Sequence, residues 1–384
     1  MHIPPASVRS TSRQWSGLAL AGALALAVTS WLVPPAQAQL ALGSTPSASW
    51  RVDGRVYATV IVGNTIVVGG SFTTATSATG TTAARQNLAA FSMSSGALLT
   101  GWRADAGGTV RALSTDGTSV WAGGSFGQIG GVTRRRIAKL SGATGAVDSA
   151  FAVSADATVR ALELDGNSLY VGGAFLTLDG VAKNRIGKVN ATSGALVTAF
   201  TASANERVYG LQKNPASAIL YVAGNFSTLS GTNRNGVGAV SSTSGDSTGP
   251  AFGSAARPTL GLAINDTGTR LYAASGAGAN QTPSWNTTSG TRLWRVRVDG
   301  DVQSVLYYDG VVYFGFHDGF EGDATVKLLA ANADTGALTA FRPVFNRFWG
   351  VFSLAASPAG LVAGGEFTRV SGVRSEGFVR FPVS

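Results

Sequence analysis

Apolar and polar residues alternate along this chain in short runs, and no stretch after residue 40 carries the spacing of a long amphipathic helix. The stretch "VRALSTDGTSVWAGGSF", beginning at Val110, shows the unit most clearly. An alternating run reaches the Asp116–Gly117 pair, a hairpin turn in composition, and a second apolar run follows it into paired glycines. The loop "GQIGGVTRR" then leads to a third run, "RIAKL", and the turn "SGATG" to a fourth, "AVDSAF". Four antiparallel strands per unit are predicted. From Val159 the chain reads "VRALELDGNSLYVGGAF", which is nearly the same text again.

Anchored on the apolar residue that opens each unit, the repeat falls at Val56, Val110, Val159, Val208, Leu260, Val302 and Val351, with spacings of 54, 49, 49, 52, 42 and 49. The expected fold class is all-β: a seven-bladed β-propeller of four-stranded antiparallel blades over residues 39–384. A solenoid is the competing architecture, and the chain ends argue against it. Trp50 in "SWRVDGRVYATV" takes the place of Trp102, a fourth-strand residue, whereas the last unit stops at "GFVRFPVS", a third strand. The segment around Trp50 would complete the last blade and close the ring, leaving no long sheet edge exposed.

Two sets of recurring aromatics read as wedges between blades: Phe72, Phe126, Phe175, Phe226 and Phe367 after the second strand, and Trp102, Phe151, Phe200, Phe252 and Phe341 in the fourth. The pairs Gly69/Gly70, Gly123/Gly124, Gly172/Gly173 and Gly364/Gly365 mark close backbone approach or a bulge.

Composition agrees with strands and tight turns: 51 glycines, 13% charged residues and no cysteine, so neither disulfides nor thiolate chemistry enters. The first 38 residues are different text. Arg9 and Arg13 precede an apolar run from Gly17 to Val33, and "PPAQAQ" supplies small residues for cleavage, which reads as a secretory signal peptide rather than a membrane anchor. Later stretches lack the length to span a bilayer. The net charge of +9 falls to about +7 without Arg9 and Arg13. Acidic partners outside the cytoplasm are therefore expected: an anionic glycan, a cell-surface polymer or a protein, and not nucleic acid.

The pattern "YVGGAF…DGVAKNRIGKVNATSGALVTAF" resembles the delta-sixty-type β-propeller repeats of secreted bacterial proteins, over all seven units, with the fifth, "SGAGANQTPSWNTTSG", departing most. That resemblance implies a seven-bladed propeller outside the cytoplasm with no generally assigned activity. The turn "TSGALV" also looks like the blade turns of quinoprotein dehydrogenases, but the acidic residue of those repeats is missing from most units and no cofactor-binding set accompanies it.

In such a ring the short turns share one face, and the longer loops, where binding usually resides, share the other. Basic residues recur on the loop-rich face at Arg85, Arg134, Lys183 and Arg234, near Asp53, Asp105, Asp156, Asn205 and Asp299; they would latch neighbouring blades or form a funnel for an anionic polymer. Tyr57, Arg111, Arg160, Tyr209, Gln303 and Phe352 lie just inside the first strands and would approach the central channel, where guanidinium and aromatic groups suit a sugar or carboxylate. His317, the sole histidine beyond the signal, and Glu366 occupy matching positions in adjacent blades and, with Tyr313, make a candidate acid–base set. Asp318, Glu321 and Asp323 are a candidate oxygen cluster for Ca2+; no other cofactor is expected.

The reading that results is a secreted, monomeric binding propeller that recognises a glycan, cell-surface polymer or protein on its loop-rich face. A lyase or hydrolase acting on an acidic polysaccharide through His317 and Glu366 is the second reading, and a structural module of a larger assembly the third.

Overall fold

Each repeat folds first as a hairpin, and its turn shows why. Asp116 Oδ1 accepts hydrogen bonds from the amides of Thr118 and Ser119, and Gly117 takes a positive φ of 86° that a side chain would resist. The computed structural model of the protein describes residues 42–253 and 257–383. The expected signal peptide, residues 1–38, lies outside them. Among the described residues there is no helix.

Seven sheets built on such hairpins follow one another along the chain. Their first, innermost strands are Arg55–Val62, Val110–Thr115, Val159–Asp165, Val208–Lys213, Thr259–Ile264, Val302–Tyr308 and Gly350–Ser357. Each inner strand packs beside that of the next sheet, and Gly350–Ser357 of the last lies beside Arg55–Val62 of the first.

The paired glycines make both approaches feasible. A Cβ on Gly123 would stand 2.6 Å from Val159 Cγ1 of the following sheet, and one on Gly124 would collide with the Thr109 carbonyl oxygen of its own hairpin. The first glycine thus admits the neighbouring sheet and the second admits the crossing strand. The last sheet meets the first in the same way, since a Cβ on Gly364 would lie 2.5 Å from Val56 Cγ1. The wedge aromatics fill what remains: Phe126, Phe151, Phe175, Phe200 and Phe226 are fully buried, and Trp102 is anchored by its indole N–H to the Gly142 carbonyl of the second sheet.

The fourth strands are less regular than the repeat predicts. In the first, second, third and sixth sheets the fourth run makes a single bridge, such as Leu140 with Val147, because the chain soon leaves to deliver its aromatic to the next core. The fifth sheet, the most divergent in sequence, is the one with a long fourth strand, Arg292–Arg297. Its opening residue also shifts by one, for Thr259 rather than Leu260 takes the place of Val110.

The N-terminal segment joins the last sheet as expected, with a different portion doing the pairing. Leu42 and Ser47 bridge to Val383 and Arg380, while Trp50 has already crossed to the first sheet, where its amide meets the Gly96 carbonyl. Arg380, 3% exposed, ties the three pieces together by donating to Ala48 O, Ser49 Oγ and Met93 O.

Candidate ligand-binding mouth

All seven inner strands carry the same irregularity. Against the second strand the register slips by one residue between Val56 and Ala58, Val110 and Ala112, Val159 and Ala161, Val208 and Gly210, Thr259 and Gly261, Val302 and Ser304, and Val351 and Ser353. The skipped residues are Tyr57, Arg111, Arg160, Tyr209, Leu260, Gln303 and Phe352. A bulged residue leaves the ladder and its side chain is re-aimed. Here all seven line one cavity of about 490 Å³, to which every inner strand contributes. Six of them were expected at the channel from sequence; Leu260 was masked by the one-residue shift in the fifth sheet.

The chemistry around this mouth is asymmetric. Arg111 and Arg160 come from adjacent strands, and no ion pair or side-chain hydrogen bond engages either guanidinium. They lie instead against rings: the Arg111 guanidinium carbon is 4.6 Å from the Tyr57 centroid, that of Arg160 is 5.4 Å from Tyr209, and Tyr57 stacks on Phe352 at 5.4 Å. Burial and then the Arg111 charge lower the Arg160 pKa, with Arg207 adding to the effect and no carboxylate opposing it. Two like charges held together in a part-buried site favour an anion, and guanidinium groups suit a carboxylate in particular.

The recurring basic residues of the loops have another task. Arg85 donates to Thr100 O, Arg134 to Ser149 O, Lys183 to Thr198 O and Arg234 to Gly249 O, each a carbonyl fifteen residues further on in its own repeat. They pin the outer run of their own sheet where strand pairing is thin. Among the described residues none of them forms an ion pair between sheets, and their hydrogen-bonding groups go to backbone carbonyls rather than to a shared funnel, with Arg85 and Lys183 buried and Arg134 and Arg234 part-exposed. The Asp and Asn partners proposed for them cap backbone instead: Asp53 takes the amides of Thr73 and Thr74, Asp156 those of Leu176 and Thr177, and Asn205 those of Ser227 and Thr228.

The proposed acid–base set is not gathered. Glu366 is paired at 2.6 Å with Arg55 and lines a cavity of about 410 Å³ with Asp53, Tyr57 and Arg347. His317 stands apart: its Nε2 accepts the Asp301 amide at 3.2 Å, and its Nδ1 is 3.1 Å from Asp318 Oδ2. Tyr313 is a core residue, 2% exposed against the Phe341 edge, and burial pushes its phenol up to about 12. Nor do Asp318, Glu321 and Asp323 converge: Asp323 accepts from the Thr325 amide and hydroxyl, and among the described residues no three acidic or histidine side chains are grouped to hold a metal.

One feature of the rim was not read from sequence. An Asp or Asn capping the loop stands three positions before the inner strand's opening valine at Asp53, Asp156, Asn205 and Asp299, but five before it at Asn346. The two extra residues place Phe348 and Trp349 on the surface, 53% and 42% exposed. That altered spacing was the available signal.

No family model matches this chain, and no curated protein matches its sequence. Among solved structures it is similar to the WD40 β-propeller domain of Doa1, with a TM-score of 0.61 and 12% identity over 88% of this chain and 96% of that one. It is similar also to the computationally designed Ika8 protein, with a TM-score of 0.52 and 16% identity over 90% of this chain and all of the other. No helix of the described residues is long and apolar enough to cross a membrane. At these identities the likeness extends to the fold alone: the chain is an all-β protein of the β-propeller kind.

Proposed function

We propose that this chain is an exported binding protein whose seven sheets act as the blades of a closed propeller, and that its central mouth takes a carboxylate-bearing ligand from a glycan, a surface polymer or a protein. The observation that carries the reading is the pair Arg111 and Arg160, bulged into one cavity without a single acidic partner. The inner-strand contact between the last and first sheets and the bridges from Leu42 and Ser47 support the closed ring. The signal-like text of residues 1–38 supports export.

A charge-assisted hydrogen bond contributes about 1.5–3 kcal/mol. Loss of either arginine should therefore weaken a carboxylate ligand by about tenfold or more. The test is calorimetric titration of the mature protein with galacturonate, polygalacturonate and an oligo-glutamate peptide at low and high salt. Binding that weakens with salt and collapses in Arg111→Ala and Arg160→Ala is expected. Binding of these probes that both variants retain in full would refute the reading.

A further inference from the structure

The lengthened loop before the last inner strand sets Phe348 and Trp349 nearly perpendicular, with ring centroids 5.0 Å apart. His317 supports them from the preceding blade, stacked on Phe348 at 5.2 Å and edge-on to Trp349 at 5.6 Å. Two exposed aromatics thus pack against each other and against a third ring at the surface. Their surroundings are polar: Asp301 and Asp318, both part-exposed, flank the histidine.

One buried nitrogen in this corner lacks a hydrogen-bond partner. His317 Nε2 accepts the Asp301 amide, while its Nδ1 is buried and makes no hydrogen bond although Asp318 Oδ2 stands 3.1 Å away. Lys327, 2% exposed, places its Nζ 5.9 Å from the Phe348 centroid, within the field of Asp318, Asp299 and Asp323. Apolar ring faces beside carboxylate acceptors match a sugar ring, whose C–H face is apolar and whose rim is hydroxyl. Trp349 is three residues from Phe352, on the strand that descends into the mouth, and Phe352 continues through Tyr57 to Arg111.

Resting on the mouth reading above, we infer that the ligand is a uronic-acid oligosaccharide, with one carboxylate held between Arg111 and Arg160 and a further sugar ring seated on Trp349 and Phe348, its hydroxyls shared by Asp301 and Asp318. The rim is then a second subsite for the same chain of sugars.

The probes are galacturonate and its linear trimer, titrated into the wild type, Trp349→Ala, the double variant Phe348→Ala/Trp349→Ala, and Arg160→Ala, each first shown to melt as the wild type does. The trimer should bind the wild type about tenfold more tightly than the monomer, and Trp349→Ala should remove most of that gain while leaving monomer affinity within about twofold. Arg160→Ala should weaken both sugars. Equal affinity for monomer and trimer in the wild type, or a trimer unaffected by Trp349→Ala and by the double variant, overturns the rim subsite and leaves the arginine mouth standing. Failure of both sugars to bind overturns the pair together.

Discussion

Glu163 is the most instructive residue to perturb. It lies on the inner strand Val159–Asp165, three positions beyond Arg160, and its Oε1 accepts the Lys213 amide at 2.8 Å and Gln212 Nε2 at 3.2 Å from the adjacent inner strand. The Lys213 ammonium offsets its charge only in part, since it is also engaged by Asp165, Asn214 O and Ser217 O. Burial is the chief reason its carboxyl is pushed up from 4.5 to about 8, with the nearby Asp165 charge acting in the same sense.

The folded state therefore holds this proton more tightly than the unfolded chain does. Its contribution is fully present below pH 4.5, declines as the pH rises and is gone above about 8. Taken whole, the displacement corresponds to a ceiling of about 5 kcal/mol, and relaxation around a part-exposed carboxylate should leave about 1–3. Glu163→Gln keeps the acceptor oxygen and does not ionise. Urea unfolding of both proteins from pH 5 to 9 is the assay. The variant should match the wild type near pH 5 and exceed it progressively toward pH 9, and the difference cancels other groups that titrate. A difference flat across that range would refute the assignment of a part-buried, protonated Glu163.

Two further stability predictions follow from packing. Gly124→Ala drives a methyl into the Thr109 carbonyl of a backbone crossing that has no room to yield, so it should cost about 2–4 kcal/mol, more than Gly123→Ala, whose neighbour Val159 is a side chain able to shift; paired thermal melts decide the order. Arg380→Met removes three hydrogen bonds that join the last sheet, the N-terminal segment and the first sheet, and takes the Arg380 donor from the buried Met93 carbonyl. A loss of about 2–4 kcal/mol is expected, together with faster hydrogen exchange at the Ser47 amide than at Trp121 in the second sheet; uniform exchange would show that the chain ends are not the weak point.

The repeat was legible because its determinants are local. Asp116–Gly117 specifies a turn, and the apolar run "SVWAGG" specifies a buried strand. The fourth strand was over-read for a physical reason: "AVDSAF" alternates like a strand, but Phe151 is wanted in the next sheet's core, and tertiary packing breaks the pairing after one bridge. The loop cations misled in a similar way. Arg134 and its equivalents look like a surface stripe in one dimension, whereas their acceptors are backbone carbonyls that sequence does not display. The mouth was read nearly whole because Tyr57, Arg111 and Arg160 share a position in the repeat. What sequence withheld was the cause, since a bulge is a difference between two strands and shows in neither alone.

That extra residue in each inner strand frees one side chain per repeat from any duty to the ladder or the core. Tyr, Arg, Arg, Tyr, Leu, Gln and Phe occupy the seven places with no common size, charge or polarity. Selection acting there could retune what the protein recognises, one repeat at a time, without disturbing the architecture beneath.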